Sequence, residues 1–165
     1  MEFYPVLLVF HIVFAVIWLA DVPVHFFLSG FIAKNKNKAG YKKMIYAWLK
    51  MINLTGIIGM SGVLVTGIIL TIIIPFYSFF QFNGNHWLTT KQIIALIIIF
   101  IVGFNIIPIG RKIRIAIEND LENNSAMSEE LEKNAGKISN LAKVVTVLVF
   151  INFLLAVTHR FLPGS

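Results

Sequence analysis

His11, Trp18 and His25 stand seven residues apart, with Asp21 between the last two. On a helix, at about 100° per residue, these four side chains share one narrow stripe. Imidazole and carboxylate groups in so apolar a setting can ligate a metal or haem iron, pass a proton, or hydrogen-bond a neighbouring helix. A second group stands near the other chain end and in the middle. His159 adjoins Arg160, Lys91 follows Trp87 by four residues, and His86 lies in the run Asn83-Gly84-Asn85-His86-Trp87. Two neutral imidazoles from different helices are what a b-type haem needs on the two faces of its ring. His11 and His159 are the candidates for that pair. Lys91 and Arg160 could meet the propionates, and His86 is a further ligand or rim residue.

The elements that would carry these residues follow from hydropathy. About 20 apolar residues in a helix cross a bilayer, and four such stretches are present, about 5–33, 43–75, 90–110 and 141–162. The expected fold is all-α, a membrane-embedded four-helix bundle and a single domain. The polar segment from Arg111 to Asn140 is expected to form a helical hairpin or extension at the cytoplasmic surface, with a short helix behind Ser128 in Ser128-Glu129-Glu130-Leu131. The first stretch is too long for a signal peptide. It also lacks a basic N-terminal flank and a small-residue cleavage site.

Composition agrees with a bilayer and excludes other classes. Of the 165 residues 58% are apolar and 13% charged, with a mean hydropathy of +0.82. A soluble domain has about 45–50% apolar and about 25% charged residues. An outer-membrane barrel would alternate strictly over segments of about ten residues, a pattern absent here. The sequence has no cysteine, which removes disulfides, iron–sulfur clusters, thiolate haem ligation and c-type attachment. Its five methionines form no Met-x-Met or Met-x-x-Met motif, which disfavours a soft copper(I) site.

The net charge of +6 is topological and does not indicate nucleic-acid binding. Lys34, Lys36, Lys38, Lys42, Lys43 and Lys50 follow the first stretch, and Arg111, Lys112, Arg114, Lys133, Lys137 and Lys143 follow the third. Basic short loops stay in the cytoplasm, so both termini are expected outside the cytoplasm in a multi-pass protein of the cell (inner) membrane. His11 then lies roughly 9 Å below the outer end of its helix, at a depth similar to that of His159. Asp21 and His25 lie toward the cytoplasm, one helical turn apart and within pairing distance. Asn53 and Asn105 are expected at a comparable level, with Arg111 at the boundary. This inner group suits a proton path, a quinone headgroup site, a second metal site through His25, or polar contacts between helices.

Gly56, Gly59, Gly62 and Gly67, interleaved with Thr55, Ser61 and Thr66, let another backbone come close or make room for a flat cofactor. Packing alone accounts for them. Lys91 and Arg160 could equally snorkel to headgroups, and Trp87 and Tyr77 could be interfacial anchors.

The first helix, with Leu8-Val9-Phe10-His11, six residues and then Trp18-Leu19-Ala20, resembles the opening helix of a group of small four-helix membrane proteins. The group includes the HemJ-type protoporphyrinogen oxidases and the membrane domain of copper-resistance protein D. Trp87-x-x-x-Lys91 is similar to the Trp and Lys that open the third helix of the HemJ type. The resemblance implies haem b, with His11 as a ligand and Lys91 as functionally required. The chain departs from the HemJ pattern at Asp21-Val22-Pro23-Val24-His25, where an arginine would follow the tryptophan. It also lacks the Asn-Glu-x-Pro segment before the last helix. These departures disfavour porphyrinogen oxidation itself.

The expectation is therefore a haem b-binding membrane redox protein, either an electron carrier or an oxidoreductase, linked to a quinone or porphyrin-like substrate. Its expected cofactor-binding residues are His11, His159, Arg160, Trp18 and His86, with Lys91 and Asp21 as catalytic residues and His11, His159 and His25 as metal ligands. The rival expectations are a copper permease and a membrane assembly subunit. The sequence leaves homo-oligomerisation open.

Overall fold

The computed structural model describes residues 3–36, 38, 40–82, 86–120 and 127–158, and every regular element in them is helical. The first apolar stretch is two helices, α1 (Tyr4–Leu19) and α2 (Asp21–Lys34), which meet at Ala20. Pro23 explains the break. It has no N–H to give the carbonyl of Leu19, and its ring crowds that carbonyl. The N–H of Ala20 still reaches Val16 O at 2.9 Å.

α3 (Tyr41–Ile73) follows Gly40, whose φ of +85° is the left-handed conformation that glycine adopts without strain. It ends at Ile74, held extended by the following Pro75. α4 (His86–Ile101) continues through a wide π turn, Val102–Ile106, into α5 (Ile107–Asp120). There the N–H of Ile107 bonds to Val102 O, five residues back. A tight α turn would drive the Pro108 ring into the carbonyl of Phe104, and the wider turn relieves that clash.

The last helix, α6, runs from Glu129 to Thr158. Ser128 caps it with its hydroxyl on Leu131 N at 3.4 Å, and Glu129, Glu130 and Glu132 oppose the positive end of the helix dipole. The short soluble helix expected behind Ser128 is thus the first turn of this 30-residue helix. Four helical stretches, Tyr4–Lys34, Tyr41–Ile73, His86–Asn119 and Glu129–Thr158, are long and apolar enough to cross a membrane. They are longer than the hydrocarbon requires, so the polar ends of α5 and α6 have length to spare. Outward apolar side chains such as Phe27 and Phe104 are compatible with lipid contact.

Antiparallel packing of α1 and the start of α2 on α3 sets the register. His11 meets Thr66 and Gly67, Phe14 meets Gly62, Trp18 meets Gly59, and Asp21 meets Thr55 and Gly56. As one helix advances the other retreats by the same number of residues. A methyl group on Gly59 would lie 2.7 Å from Trp18 Cβ and 2.9 Å from its backbone N and Cα. The α3 glycines therefore serve close helix contact, and the space beside Gly59, Gly62 and Gly67 is taken by α1 side chains.

Two cores complete the bundle. Ile32, Ile45, Trp48, Leu49, Ile113, Ile117 and Ile138 join α2, α3, α5 and α6 at the end that carries the basic segments. Ile98, Val145 and Val149 join α4 to α6, with Trp18 and Leu19 against them. Beyond the first core, Tyr46 donates to Glu118 Oε1 at 2.6 Å, and Lys36 pairs with Glu132 at 2.7 Å.

Candidate functional site

The stripe of His11, Trp18, Asp21 and His25 faces the interior, and it divides into two polar levels. At the first, His11 Nδ1 is 2.7 Å from Thr66 Oγ1, and that hydroxyl also donates to Gly62 O at 2.6 Å. A hydroxyl has one hydrogen. With that hydrogen on the Gly62 carbonyl, Thr66 accepts from His11 Nδ1–H, and Nε2 keeps its lone pair. An imidazole fixed in this tautomer by a partner on one nitrogen is ready to ligate or accept a proton at the other.

Lys91 stands near the same level, close enough to His11 to act on it electrostatically. Its ammonium lies 5.6 Å from the centre of the Trp87 ring, which also meets Tyr77 edge-on at 5.7 Å. Asn152 of α6 donates to the Lys91 carbonyl at 3.2 Å, while its own Oδ1 is buried without a partner among the described residues. His86 opens α4 on the exposed surface. His159 and Arg160, the expected second ligand and second cation, lie outside the described residues.

The second level holds Asp21 and His25. They do not pair with each other, although one turn separates them. Asp21 Oδ1 instead takes the hydroxyl of Thr55, which is also 2.8 Å from Met51 O. His25 is 1% exposed, and both its ring nitrogens lack a hydrogen-bond partner among the described residues. Its ring lies tilted over Trp48, with centroids 5.8 Å apart.

Both side chains line a cavity of about 80 Å³ bounded by α2, α3, α5, α6 and the π turn, with Trp18 at one end and Arg114 at the other. Asn53 and Thr146 also line it. Asn105 and Arg111, expected at this level, are not among its lining residues; Arg114 supplies the cation instead. That volume has room for several water molecules and is too small for a porphyrin.

No group of three His, Asp or Glu side chains that could hold a metal ion comes together among the described residues. Thr55 and Thr66 were legible only as small residues in a packing stripe, and Asn152 and Thr146 were not singled out. The available signal was spacing: Thr55 and Thr66 are eleven residues apart, which on a helix returns to the same face. No family model matches the chain, and neither a curated protein nor a solved structure matches it.

Proposed function

We propose that this multi-pass membrane protein is a redox protein that holds haem b at the level of His11 and Lys91. The observation that carries the reading is the His11–Thr66 contact, which orients the imidazole and leaves Nε2 as a donor atom inside an apolar bundle. Trp18 fills the groove at Gly59 below it. His159 is the proposed second ligand. Lys91 and Arg160 would neutralise propionates, and His86 would stand at the rim. The bound group would supply one-electron chemistry, while the chain's own residues orient the ligand, balance charge and exclude water.

In this reading the basic ends of the helices face the cytoplasm and both termini lie outside it. Exchange would be with a quinone or porphyrin-like partner, either as an electron carrier or as an oxidoreductase. The resemblance of the His11-x6-Trp18 and Trp87-x3-Lys91 motifs to haem-binding small membrane proteins supports the same proposal. The test is the absorption spectrum of protein purified from cells supplied with haem precursor. A Soret band lost in His11→Ala and His159→Ala is expected. Colourless protein would overturn the reading, and copper bound without a porphyrin spectrum would replace it with that of a metal permease.

A further inference from the structure

We infer that the cavity between Arg114 and Trp18 is a one-sided, water-filled proton path that loads Asp21 from the polar end of α5 and α6. Three independent features point there. First, His25 is almost wholly buried, lines the cavity and has neither nitrogen satisfied by the described residues. A buried polar group in that state calls for water, and the cavity has room for it.

Second, polar side chains from four helices reach the cavity. Arg114 of α5 stands at the end that carries the basic segments. Asn53 of α3, Thr146 of α6, and His25 and Asp21 of α2 line it as well, with Trp18, Val102 and Val149 beside the second core. Third, Thr55 can serve Asp21 in either protonation state, because its hydroxyl lies between the carboxyl group and the Met51 carbonyl. An ionised Asp21 accepts the Thr55 hydrogen. A protonated Asp21 donates to Thr55, whose own hydrogen turns to Met51 O.

The step is balanced. A protonated water in the cavity gives its proton to the Asp21 carboxylate and becomes neutral water, and the hydrogen of Thr55 swings to Met51. The charged and titratable groups that bear on this site are His25 on α2 and Arg114 on α5, with Lys143 on α6 close enough to act on His25. No lysine or carboxylate of α3 lines the cavity. Loading Asp21 brings a proton to within ten residues of His11 along the chain, at the closed end of the path. The inference needs no haem and is tested on the protein without it, so its failure and that of the haem reading are separable.

The absence of native cysteine makes thiol labelling direct. Thr146→Cys and Asn53→Cys line the cavity, Val147→Cys and Phe150→Cys point outward from the bundle, and Lys36→Cys marks the polar side. In liposomes, a hydrophilic thiosulfonate should label the two lining cysteines only from the Lys36→Cys side. The rate should be at least about tenfold above that of the outward pair, because the reactive thiolate forms only in water. Equal rates for lining and outward positions would show a dry cavity, and labelling from both faces would show a through-channel; either overturns the inference.

Infrared difference spectra on acidification should show a protonated-carboxyl band that moves in D₂O and vanishes in Asp21→Asn. In Thr55→Val, which keeps the side-chain shape, the band should move to higher frequency as its hydrogen bond is lost. A band that survives in Asp21→Asn, or no band at any pH at which the protein stays folded, would equally overturn it.

Discussion

Thr55 and Thr66 lie on one face of α3, and each hydroxyl sits beside the carbonyl four residues back while meeting an ionisable side chain of the first two helices. Thr66 reaches Gly62 O at 2.6 Å and His11 Nδ1 at 2.7 Å; Thr55 reaches Met51 O at 2.8 Å and also Asp21. Eleven residues are three turns with about 20° to spare, which is why one helix face can serve both levels. For a bound haem, Thr66→Val should remove the hydroxyl that accepts from Nδ1–H of His11 and weaken haem retention by about tenfold or more, as loss of a partner behind a metal ligand does. Thr66→Ser should retain the wild-type spectrum. Titration of haem into purified protein gives the comparison, and equal affinity in Thr66→Val would show that Thr66 does not position the ring.

Three helical glycines, Gly59 and Gly62 of α3 and Gly103 of the π turn, give a ranked stability series. A methyl on Gly59 meets backbone atoms of Trp18, which cannot move without separating α1 from α3. One on Gly62 meets the near edge of the Phe14 ring, which yields only if that side chain changes rotamer, and one on Gly103 meets nothing within 4 Å. Overpacking costs about 1–3 kcal/mol where the neighbour cannot yield, whereas alanine in a helix interior gains about 0.5–1 kcal/mol over glycine. Melting temperature in detergent should therefore fall most for Gly59→Ala, less for Gly62→Ala, and stay level or rise for Gly103→Ala. Equal melting of all three would mean that α1 and α3 do not pack this closely.

How much of this arrangement was legible in the sequence depends on which force fixes it. The four apolar stretches follow from hydropathy because the cost of solvating them is set by composition alone. The interior-facing stripe of His11, Trp18, Asp21 and His25 follows from helical period. Pairing partners did not follow. Asp21 and His25 are neighbours along the helix, yet Asp21 turns to Thr55 because the contact at Gly56 brings α3 within reach. Asn105 and Arg111 missed the cavity because the π turn shifts the helical phase between α4 and α5. A propensity reading has no means to place such a turn, although Pro108 marks its neighbourhood.

Lys36 and Glu132 tie the segment after α2 to the first turn of α6 at 2.7 Å. The hydrogen bond that Lys36 donates to Glu132 raises the Lys36 pKa above its ordinary 10.5, and the attraction of the carboxylate adds to it. A pKa raised in the folded state gives a contribution fully present below the unfolded value and lost as pH climbs through the folded one. Lys36 should therefore impart no pH dependence to unfolding between about pH 6 and 9, and any loss should appear only on the alkaline side of 10.5. Because the pair is exposed to water it contributes little. Lys36→Ala and Glu132→Gln should melt with the wild type at neutral pH, and a clear fall in either would show a stronger tie than this geometry gives.

The π turn at Val102–Ile106 should be coupled to Pro108. A π turn holds one residue more than an α turn, so removing Gly103, where an added Cβ would meet nothing within 4 Å, shortens the turn to α-helical pitch. The phase between Ile98 on α4 and Ile113 and Ile117 on α5, all fully buried, should then survive. The Pro108 ring, however, would be driven against the carbonyl of Phe104, an arrangement that costs about 3 kcal/mol in a helix. Deletion of Gly103 alone should destabilise the protein strongly. Adding Pro108→Ala should restore much of the loss, whereas Pro108→Ala in the full-length chain should change stability far less. Thermal melts of the four proteins give the coupling directly. Additive effects would show that the wide turn has a cause other than the proline. The paired variant should also lose cavity labelling at Thr146→Cys, because Val102 and Ile106 of the wide turn form part of that wall.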